Sequence, residues 1–207
     1  MKELICIYDS KLADKGTHSF MKAIQNSIKG VEFLDVHNPN VDWNRYTVSF
    51  CANAIGILAL KPIEGTYNNE LLDSLIKHSL DKVDSPLVVE AILRVLGDVA
   101  GKDIVVINQS ENLGIPLVVE LMKRKAVITN LPRHKGIFHM LNILESCEIL
   151  ITATGDNEFK ISTKKTDFAM DIAIDLSDDI EDGYPHIYEK HIKKVPIIEI
   201  LKERLGE

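Results

Sequence analysis

The sequence predicts an α/β protein built on parallel sheets, and three observations carry that reading. Residues 104–107 are four consecutive β-favouring apolar residues, as expected of a strand buried on both faces. A polar loop follows at 108–112, and then Leu117, Val118, Leu121 and Met122 recur at helical spacing. Short apolar runs alternate with amphipathic stretches along the chain, the pattern of βαβ units and a doubly wound parallel sheet. Gly114 permits a tight turn and Pro116 suits the first position of a helix, so strand, turn and helix at 102–122 organise the chain. A helix start facing such a turn is either an anion site that holds cofactor phosphates or a plain connection.

The other elements follow in order. Residues 4–8 read as a first strand and 9–16 as a polar loop. Thr17 suits a helix cap, Phe20, Ile24 and Ile28 share a helical face, and Gly30 ends that helix. Residues 31–36 read as a second strand, closed by Asn38, Pro39 and Asn40. Trp43, Tyr46, Phe50 and Ala54 fit one helix face that packs on a sheet. A third strand runs from Gly56 to its exit at Pro62. Leu71, Leu72, Leu75 and Ile76 then give a helix ending near His78. Ser85 and Pro86 open the next helix, with Val89, Ile92, Leu93 and Leu96 on one stripe, and this is the expected domain boundary. Beyond the organising unit, strands are expected at 126–129, 148–155 and 169–176. A loop at 130–136 carries Arg133, His134 and Lys135, and Ile197, Ile198, Leu201 and Leu205 mark a closing helix. The expected domains are 1–85, with 188–207 packing back on it, and 86–187.

Composition narrows the function. A formal net charge of −7 disfavours nucleic acid as the main partner. The apolar run near the first residue is too short for a signal peptide or a membrane span, so the chain reads as cytoplasmic with no membrane partner. Cys6, Cys51 and Cys147 form no Cys-x-x-Cys pair and read as reduced, mostly buried thiols. The seven histidines show no ligand spacing, so no metal is expected.

Several segments together resemble the methylenetetrahydrofolate dehydrogenase/cyclohydrolase family, in the family's order, over roughly residues 50–176. They are Gly56-Ile-Leu-Ala-Leu-Lys-Pro62, Asp81-Lys-Val-Asp84, Ser85-Pro86, residues 101–116 and Ala153-Thr-Gly155. The central match sets the family's Gly-Arg-Ser-x-x-Val-Gly-x-Pro against Asn108-Gln-Ser-Glu-Asn-Leu-Gly-Ile-Pro116. The resemblance implies two α/β domains: a folate-type first domain with a parallel sheet, and a Rossmann-like second domain that binds NADP or NAD. It implies cofactor contacts from Asn108, Gln109, Ser110, Gly114, Thr129, Asn130 and Arg133, and from Thr152, Ala153, Thr154 and Gly155 on the nicotinamide side. Leu60, Lys61, Pro62 and Asp84 fall at substrate positions, Asp84 matching an aspartate that holds the folate pteridine. It also implies a small-molecule substrate of folate type and a homodimer.

The departures shape the functional expectation. The family's Tyr-x-x-x-Lys, whose lysine manages proton movement in the cyclohydrolase step, is missing: Tyr8, Tyr46, Tyr67, Tyr184 and Tyr188 are followed four residues on by Leu12, Phe50, Leu71, Tyr188 and Ile192. Gln109 replaces the arginine that reads the NADP 2′-phosphate. Arg133, His134 and Lys135 are candidate substitutes, or a solvated basic loop. The late Pro-Gly-Gly segment of the family is replaced around Lys194-Val-Pro-Ile-Ile198. The catalytic residues are therefore not assigned. The expected function is methylenetetrahydrofolate dehydrogenase-like NAD(P)-binding oxidation in one-carbon metabolism with the cyclohydrolase step lost. The alternative is a non-catalytic binding or regulatory protein that keeps the fold.

Overall fold

The computed structural model describes residues 3–13, 15–60, 63, 69–82, 86–132, 142–156, 158–162, 170–181 and 196–206. In chain order the described elements are β1 (Glu3–Tyr8), α1 (Lys15–Ser27), β2 (Val31–Asp35), α2 (Trp43–Cys51), β3 (Ile55–Ala59), α3 (Glu70–Lys77) and α4 (Leu87–Leu96). They continue with β4 (Asp103–Ile107), α5 (Gly114–Lys123), β5 (Val127–Leu131), β6 (Ile149–Thr152), β7 (Ile172–Asp175) and α6 (Pro196–Leu205). The chain forms two compact units, 1–90 with 193–207, and 91–192.

The first unit holds a three-stranded parallel sheet in the order β2-β1-β3. β1 is central and apolar on both faces, so Leu4, Ile5, Cys6 and Ile7 are all buried. Trp43, Tyr46, Leu72 and Leu75 pack with Ile5, Ile7 and Ile57 in one core cluster. Each such side chain contributes about 1.5–3 kcal/mol by leaving water. Asp42 caps α2 by accepting from the Asn44 N–H, and Asn69 caps α3 by accepting from those of Leu71 and Leu72. α6 lies against α1. It also explains Gly56, where a Cβ would come within 2.6 Å of Leu205 Cδ2. Arg204 of α6 donates to the Leu80 carbonyl and pairs with Glu90 at 2.7 Å.

The second unit holds a four-stranded parallel sheet in the order β5-β4-β6-β7. Ile104 pairs with Ile128 on one side and Ile149 on the other, so the run 104–107 is the buried centre of the sheet. Val105, Ile107, Leu150, Phe159, Met170 and Ala173 share a core cluster, and α5 packs on β4 and β5.

Four local expectations shift. α1 begins at Lys15, before Thr17, because residues 9–13 close a turn on the Asp9 carbonyl and the chain enters the helix early. Thr17 is thus inside the first turn and buried. Ala54 leaves the helical face, because Asn53 adopts φ +55 and ends α2. β5 extends to Leu131, so Asn130 is a strand residue paired with Val106 and not part of a loop. Helix α5 starts at Gly114, two residues before Pro116.

The thiols divide as well. Cys6 and Cys147 are buried and Cys51 is exposed. Burial pushes Cys147 up to about 11 and Cys6 well above the ordinary thiol range, which keeps both protonated and unreactive at neutral pH. No described helix is long and apolar enough to cross a membrane.

Candidate functional site

In the second sheet β4 lies between β5 and β6, so the chain reverses its direction of travel across the sheet at β4. Open α/β sheets bind ligands outside the carboxyl ends of their strands at this switch point. The groups found there are Asn108 and the turn 108–114 after β4, Asn130 near the end of β5, and 152–155 at the end of β6.

The turn is built from its own side chains. Asn108 Oδ1 accepts from the Ser110 N–H at 2.8 Å and from Ser110 Oγ at 2.7 Å. Ser110 Oγ accepts from the Leu113 N–H at 3.2 Å, and the Ser110 carbonyl accepts from the Ile115 N–H at 3.0 Å. The hydroxyl expected beside a phosphate is therefore engaged in shaping the turn. Gly114 does not sit at positive φ. Its need is close approach, because a Cβ there would lie 2.0 Å from the Asn108 carbonyl oxygen. Asn130 Nδ2 donates to the same carbonyl at 2.9 Å and ties β5 to the end of β4. Thr129 and Gln109 are exposed. The N–H groups of Gln109, Glu111 and Gly114 make no hydrogen bond to another described residue, and these are the donors the turn offers to an anion.

The β6 end is organised by an acid that the sequence did not single out. Asp179 is fully buried. It accepts from Thr152 Oγ1 at 2.5 Å, from the Thr154 N–H at 2.9 Å and from Thr154 Oγ1 at 2.6 Å. Asp175, at the end of β7, accepts from the N–H groups of Ser177, Asp179 and Ile180 and so folds the segment that presents Asp179. The hydroxyls of Thr152 and Thr154 thus point into the protein. Between and beyond them the Ala153 carbonyl accepts from Asn108 Nδ2, and Gly155, at φ +65, donates its N–H to Ser177 Oγ at 3.1 Å.

The first unit carries a separate cluster at the carboxyl end of its sheet. The carboxylate of Asp9, next after β1, accepts from His37 Nε2 and from the Lys11 N–H, each at 2.9 Å. Asp35 Oδ1 accepts from the N–H groups of Ser10 and His37. Burial raises the Asp35 carboxyl, but hydrogen bonds from Ser10 and His37 prevail and hold it below the usual carboxylate range. Leu60 lies at the same end, buried, with its N–H donated to the Ile7 carbonyl at 2.8 Å. Lys61, Pro62, Asp84, Arg133, His134 and Lys135 lie outside the described residues. No group of three or more His, Cys, Asp or Glu that could hold a metal occurs among the described residues. Asp179 and the Asp9–His37 pair escaped sequence reading because their partners are 25 to 28 residues away and no local pattern marks them.

Comparison with known proteins bears on the fold and on the family of the second part of the chain. Residues 85–182 match the family described as Tetrahydrofolate dehydrogenase/cyclohydrolase, NAD(P)-binding domain. No curated protein matches in sequence. A methylenetetrahydrofolate dehydrogenase from the silkworm Bombyx mori superposes with TM-score 0.68 at 18% identity, covering 99% of this chain and 86% of that one. The Trypanosoma brucei methylenetetrahydrofolate dehydrogenase-cyclohydrolase, solved with NADP cofactor and inhibitor, gives 0.68 at 13% identity, with 99% and 85% covered. An aspartate transcarbamoylase from Trypanosoma cruzi, in complex with phosphate, gives 0.62 at 10% identity, with 99% and 82% covered. Such identities establish fold and leave chemistry to the site. Residues 85–182 thus match the NAD(P)-binding domain of the tetrahydrofolate dehydrogenase/cyclohydrolase family, and the chain as a whole has the two-domain α/β fold of that family's solved members.

Proposed function

We propose that the protein is an NAD(P)-dependent oxidoreductase that exchanges a hydride with a reduced folate carrying a one-carbon unit, and that it lacks the hydrolytic step. The observation that carries this reading is the family match over 85–182, centred on a strand, turn and helix that leave three backbone donors at the switch point. Gln109, Glu111 and Gly114 would hold the cofactor phosphates through their N–H groups, and the backbone at 153–155 would line its reactive end. The nicotinamide, when bound, supplies the hydride acceptor. The protein's part is then placement, which does not require the missing Tyr-x-x-x-Lys. Hydrolysis does require a positioned proton-transfer group, and the sequence has no Tyr-x-x-x-Lys pair to supply it.

Calorimetric titration with NADP and then NAD tests the first half, and spectrophotometric reduction of the bound cofactor by methylenetetrahydrofolate tests the second. Saturable binding and cofactor reduction without hydrolysis of the methenyl product is the expected result. Binding without turnover would replace this reading with that of a non-catalytic binding protein, which the altered turn at Asn108 and Gln109 favours.

The oligomeric state belongs to the same proposal. Ile115, Val119 and Met122 form an exposed stripe on α5, 51%, 45% and 62% accessible, and Val127 on the edge strand β5 is 55% accessible. An apolar stripe beside a strand that pairs on one side only among the described residues suits a second copy of the chain. Sedimentation should show a dimer at micromolar concentration, converted to monomer by Met122→Glu. A monomeric wild type would remove this part of the proposal.

A further inference from the structure

Asn108 stands immediately after β4, at the switch point, in the place of the first glycine of the family's motif. Its carboxamide lies across the gap between the ends of β4 and β6: Nδ2 donates to the Ala153 carbonyl at 2.5 Å, and Oδ1 accepts from the N–H and the hydroxyl of Ser110. The amide has one permitted orientation, since the Ala153 carbonyl only accepts and the Ser110 N–H only donates. The backbone carbonyl of Asn108 is fixed too, by Asn130 Nδ2 at 2.9 Å and by the close approach of Gly114. Every polar side-chain atom of Asn108 is thus engaged, and the residue cannot move aside without breaking three hydrogen bonds.

A dinucleotide enters such a sheet through this gap. We propose that Asn108 is an internal stopper of the dinucleotide crevice. Its carboxamide occupies the approach to the strand ends, and a dinucleotide binds only in the fraction of molecules in which that side chain has swung out. Apparent affinity is reduced by that fraction. Because the obstruction lies at the strand ends and not at the adenosine ribose, it weakens NAD and NADP by the same factor. The proposal rests on the dinucleotide-binding reading above and adds the residue that sets its strength.

The test is calorimetry of the full chain, wild type, Asn108→Gly and Asn108→Ala, with NAD and with NADP. Asn108→Gly is expected to bind both at least tenfold more tightly than wild type, a gain of about 1.4 kcal/mol, with Asn108→Ala in the same direction. Variants that are folded by circular dichroism and bind no more tightly than a binding wild type would overturn the stopper while leaving the dinucleotide reading intact. Absence of binding in the wild type and in folded variants alike would overturn that reading and the stopper with it. Should both variants fail to fold, the wild type decides the matter. On saturation with NADP the Asn108 side-chain amide signal in a ¹⁵N NMR spectrum should move to a solvent-exposed position, and an unmoved signal would refute the proposal.

Discussion

Replacing Gly114 by alanine should destabilise the protein by about 3 kcal/mol, although the same change within a helix ordinarily stabilises by up to about 1 kcal/mol. The reversal of sign is what makes the prediction informative. A Cβ at 114 would stand 2.0 Å from the Asn108 carbonyl oxygen, 2.5 Å from its carbonyl carbon and 2.5 Å from its Oδ1. Two of these are backbone atoms, held in turn by Asn130, so the helix start must be pushed off the end of β4. That displacement also carries away the N–H groups around the turn, and dinucleotide affinity should fall at least tenfold with Gly114→Val. Gly97→Ala is the matched control. It sits at φ +66 with open space around it, and should cost only the 1–2 kcal/mol of an unfavourable backbone conformation. Urea denaturation followed by far-ultraviolet circular dichroism measures both. A Gly114→Ala protein as stable as wild type would show that helix and strand do not approach as closely as described.

Asp179→Ala should be comparably severe, lowering stability by about 3 kcal/mol or more. The change removes the acceptor of two hydroxyls and one backbone N–H in a place with no access to water. Donors stranded in this way each cost on the order of 1–3 kcal/mol, and relaxation recovers part of the sum. Asp179→Asn keeps the shape and one acceptor oxygen, and the threonine hydroxyls can turn to accept from its amide, so its loss should be less than half as large. The same denaturation measurement reads both. Equal effects of the two variants would mean that retained shape and a single acceptor oxygen recover nothing, so that both carboxylate oxygens are needed as acceptors.

These two residues mark the limit of what the sequence conveys. The run 104–107 announced a buried central strand because both of its faces are apolar, and periodicity located most helices because their buried stripes are local features. Gly114 was visible as a glycine but not as a contact. A turn glycine and a close-approach glycine look identical until the strand end it touches is in place. In sequence Asn130 reads as loop because its polar side chain breaks the apolar run, whereas its amide serves the carbonyls of Val106 and Asn108 from within β5. Asp179 and its threonine partners come together only when β6 and β7 pair. Thr17 illustrates the opposite error, a residue with good capping chemistry displaced by an upstream turn.

The first unit is discontinuous in the chain, and this bears on how the protein comes into being. Residues 91–192 are synthesised between the two parts of the unit they interrupt. At about 5–20 residues per second, the ribosome spends on the order of 5–20 seconds on that insertion. Throughout that interval the first sheet lacks α6, whose Ile197, Ile200, Leu201 and Leu205 are buried in the finished protein. The nascent first unit is therefore sticky while the second can already be complete. A chaperone acting on this chain during translation would find its apolar binding surface around β3 and α1, until the arrival of residues 193–207 covers it.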